Sequence, residues 1–183
     1  MIRNSKTARD YKQAAAYFEN LSANNPSHWL SSYYAALSYI HASHHAEEDK
    51  DKDAMLDKAQ PLIEKALQNH PDESEMLVLQ AFLYQSRIEV NPKMRGMSYS
   101  SKAESSLKKA AEINDKNPRA WSLLGYNLFY TPALFGGGHE KALPLFLKAR
   151  DKFKVFTPLM PFYPHWGETE NQEMIAECRK SVK

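Results

Sequence analysis

The residues with the most obvious chemical potential are three histidines. His41, His44 and His45 stand at i, i+3 and i+4, a spacing that would set three imidazoles on one face of a helix, as metal ligands require. Carboxylates follow at Glu47, Glu48 and Asp49. Catalytic zinc helices carry a glutamate beside the first histidine, and here Ala42 holds that place. Imidazoles at a helix C-terminus also suit its dipole, so the trio reads as a partly exposed helix end and no metal is expected. The run EEDKDKD from Glu47 to Asp53 lacks the glycine and the closing glutamate of a calcium loop and reads as a solvated turn. The triplet Gly136 to Gly138 could cradle a phosphate ahead of a helix. HEKAL follows it, without the lysine and hydroxyl pair of a phosphate loop, so an interhelical turn needing positive φ is the expectation. The lone cysteine, Cys178, has Ala176, Glu177 and Arg179 around it and no base to activate it. It shares a helical face with Met174, Ile175 and Val182 and should pack there. With no nucleophile–base set and no metal cluster, the chain is expected to be no enzyme and to carry no cofactor.

Composition narrows the remaining classes. The chain has 183 residues, 43% hydrophobic and 11% aromatic, enough to build the core of one domain or of an array of small repeats. Its formal charge of +2 lacks the basic surplus of a dedicated nucleic-acid binder. A single cysteine excludes a disulfide framework. The two stretches free of Lys, Arg, Asp and Glu, 27–45 and 120–138, are rich in Ser, His, Asn and Gly, and neither is expected to span a membrane. The opening MIRNSKTARDYKQ has no apolar core of an export signal.

What must position these residues is a repeat. Ala36, Ala81 and Gly125 lie 45 and 44 residues apart, each followed three residues later by Tyr39, Tyr84 or Leu128. A second series, Ala14, Ala59, Ala103 and Ala142, is followed four residues later by Phe18, Ile63, Leu107 and Phe146. Leu21, Ala66, Ala110 and Ala149 come three further on. Two interleaved series at i, i+3, i+4 and i+7 mean pairs of amphipathic helices whose small residues let backbones approach. Pro26, Pro71 and Pro118 fall between pairs. The spacing predicts helices over 5–22, 27–46, 51–69, 72–90, 98–114, 118–130, 139–151 and 167–181. Pro61 and Pro144 predict that two of them start near Asp57 and His139, since a proline is tolerated in the first turn. The loop Ile88–Ser100 should interrupt the second pair on the same edge as the other turns within pairs. The stretch Lys154 to His165, with three prolines and several aromatics, should be an extended strap.

The pattern resembles the tetratricopeptide repeat, best in PRAWSLLGYNLFY followed by HEKALPLFLKA, which places Trp121, Leu124, Gly125, Ala142, Phe146 and Ala149 at family-like positions. The resemblance covers about Tyr11 to Ala149, although the repeats are longer than the usual period of about 34 residues. It implies an all-α, right-handed superhelix of antiparallel helix pairs in one domain. The units expected are a half-unit over 5–26, pairs over 27–70, 71–117 and 118–153, and a proline strap with a capping helix over 154–183. Either the chain was cut ahead of that half-unit or the half-unit is itself a cap. The runs WLSSYYAALSYI, RIEVNPKMRGMSYS, NLFYTPALFGGGHEKALPLF and PHWGETENQEM further resemble small tetratricopeptide proteins of Bacteroidota-type bacteria. Those commonly carry an export signal, which implies a periplasmic or exported home, a cytoplasmic one being the alternative.

Mapping the repeat onto the chain turns Tyr33, Leu37, Ile40 and His41 toward the concave face, followed by Val78, Phe82, Gln85 and Ser86, then Ser122, Tyr126, Phe129 and Tyr130. The family's receptors for chaperone tails hold a carboxylate there with Lys, Arg and Asn, none of which is in this set. An aromatic groove with hydroxyls suits a protein or peptide segment, and a scaffold binding such a partner is the leading expectation. The alternative is an accessory protein that holds a small apolar or organic-acid ligand and resembles tetratricopeptide partners of transporters. The strap or the capping helix could instead fill the groove. Calorimetry on chelator-stripped protein is expected to show no stoichiometric zinc binding. One-site binding at micromolar or tighter affinity, lost in His41→Ala, would reverse the reading of the histidines.

Overall fold

The computed structural model describes residues 5–25 and 28–180. It contains α1 (Ala8–Asn24), α2 (Trp29–His44), α3 (Asp49–Asn69), α4 (Ser74–Val90), α5 (Pro92–Ile113), α6 (Pro118–Tyr130), α7 (His139–Val155) and α8 (Glu168–Lys180), with a short 3-10 turn at Ala133–Phe135. The expected start of the first pair at residue 27, the separator Pro26, the tail of the last helix at 181 and Val182 lie outside the described residues.

Local chemistry sets the helix starts. Thr7 and Asp10 form a reciprocal capping box ahead of α1. Asn91 and Asn117 each accept an amide hydrogen bond at an N-terminus whose first helical residue is a proline, Pro92 and Pro118. Asn91 has a double duty, since its own N–H also closes α4 on the carbonyl of Ile88. The loop expected over Ile88–Ser100 is therefore reduced to one residue, and α5 starts at Pro92. Side chains hold that tight turn. Arg95 grips Asp53 of α3 with two hydrogen bonds of 2.7 and 2.8 Å, and the buried Arg87 reaches Asp53, Asp57 and Gln60. The paired guanidinium of Arg95, ahead of the nearby Arg87, holds the Asp53 carboxyl below its usual range.

A second correction concerns α3, which starts eight residues before Asp57 and has Pro61 in its interior. Pro61 and Asp57, whose carbonyl it leaves without an amide, are both exposed, and the helix tolerates the proline. His139 does start α7, after Gly138 at φ 107°. The middle glycine of the triplet is needed for space. A Cβ on Gly137 would come within 2.0 Å of the Thr131 carbonyl oxygen.

Successive helices pack as antiparallel pairs, and α2, α4 and α6 also touch one another, forming the inner wall of the superhelix. The small residues do what their spacing implies. Ala36, Ala81, Ala59, Ala103 and Ala142 are fully buried at helix crossings. Gly125 faces the ring of Phe146 so closely that an added Cβ would stand 2.7 Å from it. α8 packs on α7 and shuts the far end of the core with Met174, Ile175 and the fully buried Cys178. Gly125→Leu and Ala81→Leu should each destabilise the fold by ~1–3 kcal/mol or more, seen as lower urea midpoints. Gly125→Ala combined with Phe146→Leu should cost less than the two single changes added together. An unchanged midpoint in both leucine variants would contradict the close helix contacts.

Candidate functional site

The concave face is divided by the strap. After α7 ends, residues 156–167 cross the inner wall at the N-terminal ends of α2, α4 and α6. The crossing is held by an ion pair that no solvent reaches. Arg119 of α6 donates from Nε to both Glu75 oxygens at 3.1 and 2.9 Å and from Nη2 to Oε1 at 2.7 Å, with side-chain exposures of 0% and 1%. Burial pushes the Glu75 carboxyl up, and the charge of Arg119 opposes that shift. The guanidinium also lies 4.5 Å from the Phe156 ring centroid, and its Nη1 donates to the Trp166 carbonyl oxygen at 3.4 Å. Gly167, at φ 99°, lets the chain turn there against Phe153 and Arg119. Tyr163 is buried edge-on against Trp29, and Trp166 Nε1 donates to the Tyr33 hydroxyl at 2.7 Å.

The crossing covers Tyr33, and packing between the helices closes off other members of the expected site. Tyr33 and Val78 are fully closed off, and Leu37 and Ser122 are 3% exposed. Burial sends the Tyr33 hydroxyl well above its usual pKa. Gln85 is half-buried and ties α4 to α6 through the Leu123 carbonyl oxygen. The remaining side chains form two groups. On α6, Tyr126 stacks on Tyr130, and Phe129 meets both Tyr130 and His139. Tyr130 is 72% exposed, whereas the Tyr126 hydroxyl donates to the Glu170 carbonyl oxygen of α8.

The other group is a continuous run of rings across α1, α2, α4 and the strap. Tyr11 stacks on His41 and His45 with both centroid separations 5.2 Å. His41 and His44 meet Phe82 edge-on at 6.0 and 5.5 Å, and Phe82 lies 5.6 Å from Trp166. His44 Nε2 shares a hydrogen bond of 2.9 Å with Ser86 Oγ and stands 3.7 Å from Glu89. Loss of solvent over the rings, and then the neighbouring imidazoles, push the pKa of His41 and His44 down to about 4. Both rings are therefore neutral at physiological pH. Beside them, Ser43, His44, Lys52, Ser86, Glu89 and Val90 line a cleft of about 200 Å³. Among the described residues, no group of three or more His, Cys, Asp and Glu is placed to hold a metal ion. Ser86 donates to the Phe82 carbonyl oxygen at 2.9 Å, so its hydroxyl hydrogen points away from His44 and the pair is not a nucleophile with its base.

Sequence reasoning missed Tyr11, His44 and Trp166 as partners of this face, and Glu75 and Arg119 as its anchors. The expected strap, Lys154 to His165, stopped one residue short of Trp166. Nothing distinguishes Arg119 from an ordinary surface arginine in the first turn of a helix.

Stacked antiparallel helix pairs around an aromatic concave face define a helical-repeat binding scaffold. No known family profile matches the chain, and no curated protein sequence matches it. Among solved structures it is similar to the HusA haemophore from Porphyromonas gingivalis, with TM-score 0.87 and 31% identity over 100% of this chain and 90% of that one. It is also similar in fold to TTC0263, a thermophilic TPR protein of Thermus thermophilus, with TM-score 0.68 and 18% identity over 94% of this chain and 78% of that one. The chain belongs to the family of the HusA haemophore, and its fold is that of a tetratricopeptide-repeat protein.

The low pKa values have a consequence for stability. The unfolded imidazoles protonate around 6.5 and the folded ones around 4, so the unfolded state takes up protons first as pH falls. The stabilisation is complete above 6.5 and is lost progressively as pH falls from 6.5 through 4. Melting temperature followed across that window should fall less steeply in His41→Gln/His44→Gln than in the parent. Equal slopes would show that the two rings titrate normally.

Proposed function

We propose that the chain is a non-enzymatic binding protein whose concave face takes a flat, largely apolar small ligand of the porphyrin class, haem above all. The observation that carries this reading is the run Tyr11–His41–Phe82–Trp166, with ring neighbours 5.2 to 6.0 Å apart on a face that is only half buried. Aromatic planes offer broad contact to a planar ligand at little entropy cost. The neutral imidazoles of His41 and His44 add no positive charge to the face, and His41 can meet a metal-bearing ring as a Lewis base. The cleft beside His44 is smaller than the roughly 300–1,000 Å³ of pockets that enclose drug-sized ligands. A porphyrin would therefore lie along the open face, with Lys52 of the cleft lining, now paired with Asp49 at 3.1 Å, as a cation that a carboxylate arm could share. The likeness to a haemophore, at 31% identity, supports the same ligand class.

A peptide in the groove is the second reading. It has less room, because the chain's own strap occupies the stretch where an extended partner would run, over Tyr33 and against Phe82.

Absorbance titration with haemin, paired with iron-free protoporphyrin, tests the proposal. Saturable one-to-one binding is expected. Phe82→Ala should weaken it about tenfold, the equivalent of the ~1–1.5 kcal/mol of a lost ring contact. His41→Ala should weaken haemin more than the iron-free ring. Melting temperatures of both variants separate lost contact from lost fold. Absence of saturable binding by either porphyrin would overturn the proposal, and capture of an apolar peptide in its place would support the second reading.

A further inference from the structure

We propose that the tip of the strap, Val155 to Phe162, docks the protein on an anionic lipid surface. The inference does not rest on the ligand assigned above. Four large apolar side chains stand out within eight residues: Val155 is 78% exposed, Leu159 75%, Met160 40% and Phe162 82%. Such residues are normally inside, and a cluster of them on a surface marks a contact site.

The backbone presents them at a cost. Phe162 has φ 62°, a left-handed conformation that is uncommon for a bulky residue. A buried ring could offset that strain through packing, but this ring is exposed. The conformation is held from behind. The Tyr34 hydroxyl donates to the Phe162 carbonyl oxygen at 2.6 Å, the Tyr163 N–H closes a turn on Met160, and Tyr163 and Pro164 are buried. The tip is thus fixed in an outward pose before any partner arrives, as strained segments at binding sites are.

Charge and backbone chemistry choose lipid as the partner. From Lys152 to Gly167 the chain has two lysines, one histidine and no acid. The Lys154 side chain is 63% exposed and has only a 3.6 Å contact with Asp151, while Lys152 is paired with Asp115. Aliphatic and aromatic side chains at a tip with a basic flank are the composition of an interfacial anchor. Pro158 and Pro161 remove two amides that would otherwise lose water at the interface. Val155, Leu159 and Phe162 of the tip are each at least 75% exposed, so it offers side chains to insert rather than a groove to fill. Because its backbone is irregular, contact stops at the headgroup level.

Flotation of the whole chain with vesicles tests this, using phosphatidylcholine alone and phosphatidylcholine with phosphatidylglycerol. The chain should float with the anionic vesicles, more weakly with the zwitterionic ones, and less as salt rises. Leu159→Ser/Phe162→Ser should lower the bound fraction about tenfold. Phe162→Gly removes the ring at a φ that glycine favours, so it should keep or raise the melting temperature while weakening flotation. Leu134→Ser, at an equally exposed position on the α6–α7 loop, should change nothing. Failure to float with either vesicle, flotation indifferent to lipid charge, or full flotation of the strap variants would each overturn the proposal. So would a dimer seen by gel filtration without lipid that the strap variants abolish, since the tip would then bind a second copy of the chain.

Discussion

The Glu75–Arg119 ion pair organises the inner wall. Its two members sit on adjacent inner helices, α4 and α6, and the guanidinium also supports Phe156 and the Trp166 carbonyl of the strap. Removing two charges from water is costly, and such a pair is sound only when every donor finds an acceptor. Here the carboxylate receives three hydrogen bonds from the arginine, whose remaining nitrogen turns to the strap. The surrounding polar groups extend the arrangement. Asn117 accepts from the Arg119 amide and donates to Ser74, which in turn donates to the Ala110 carbonyl oxygen. An apolar pair could fill the same space, but it would specify neither the spacing between the second and third repeats nor the path of the strap.

That path decides what the concave face can be. In an open superhelix the whole inner wall is free. In this chain a segment of its own C-terminal region lies over the N-terminal ends of α2, α4 and α6, and Trp166 fills space between Tyr33 and Phe82. The part left accessible is short, aromatic and flanked by imidazoles. Trp166 belongs to both regions, since it anchors the strap and also supplies a wall of the accessible face. Ligand contact and strap position are consequently coupled through one side chain.

Much of the architecture was legible because it depends on periodic, local rules. The alanine series and Gly125 located the helix crossings, and proline positions marked most boundaries. Two expectations failed where a local signal met a stronger tertiary one. Pro61 suggested a helix start near Asp57, yet Pro61 and Asp57 are both exposed and α3 runs through the proline. Ile88–Ser100 fell in the gap between two helices set by the spacing and read as a loop, but Asn91 caps the next helix and Arg95 locks it to Asp53. The candidate site was less legible. Helical periodicity says which wall a residue faces, and it brought Phe82 and His41 to the right one. It does not say which other segment covers that wall or how closely its helices pack, so Tyr33, Val78 and Ser122 could not be told from accessible neighbours. A contact such as Trp166 to Tyr33, 133 positions apart, leaves no trace in spacing.

The single thiol of Cys178 has a further use. It is fully buried where α8 closes the end of the helical stack, and burial pushes its pKa up, so it is doubly shielded from electrophiles. A reagent can reach it only while α8 is detached. Terminal elements of stacked arrays open at lower free energy than their interior. The rate of alkylation therefore counts excursions of the last helix alone, against a background in which no other residue of the chain can react as a thiol.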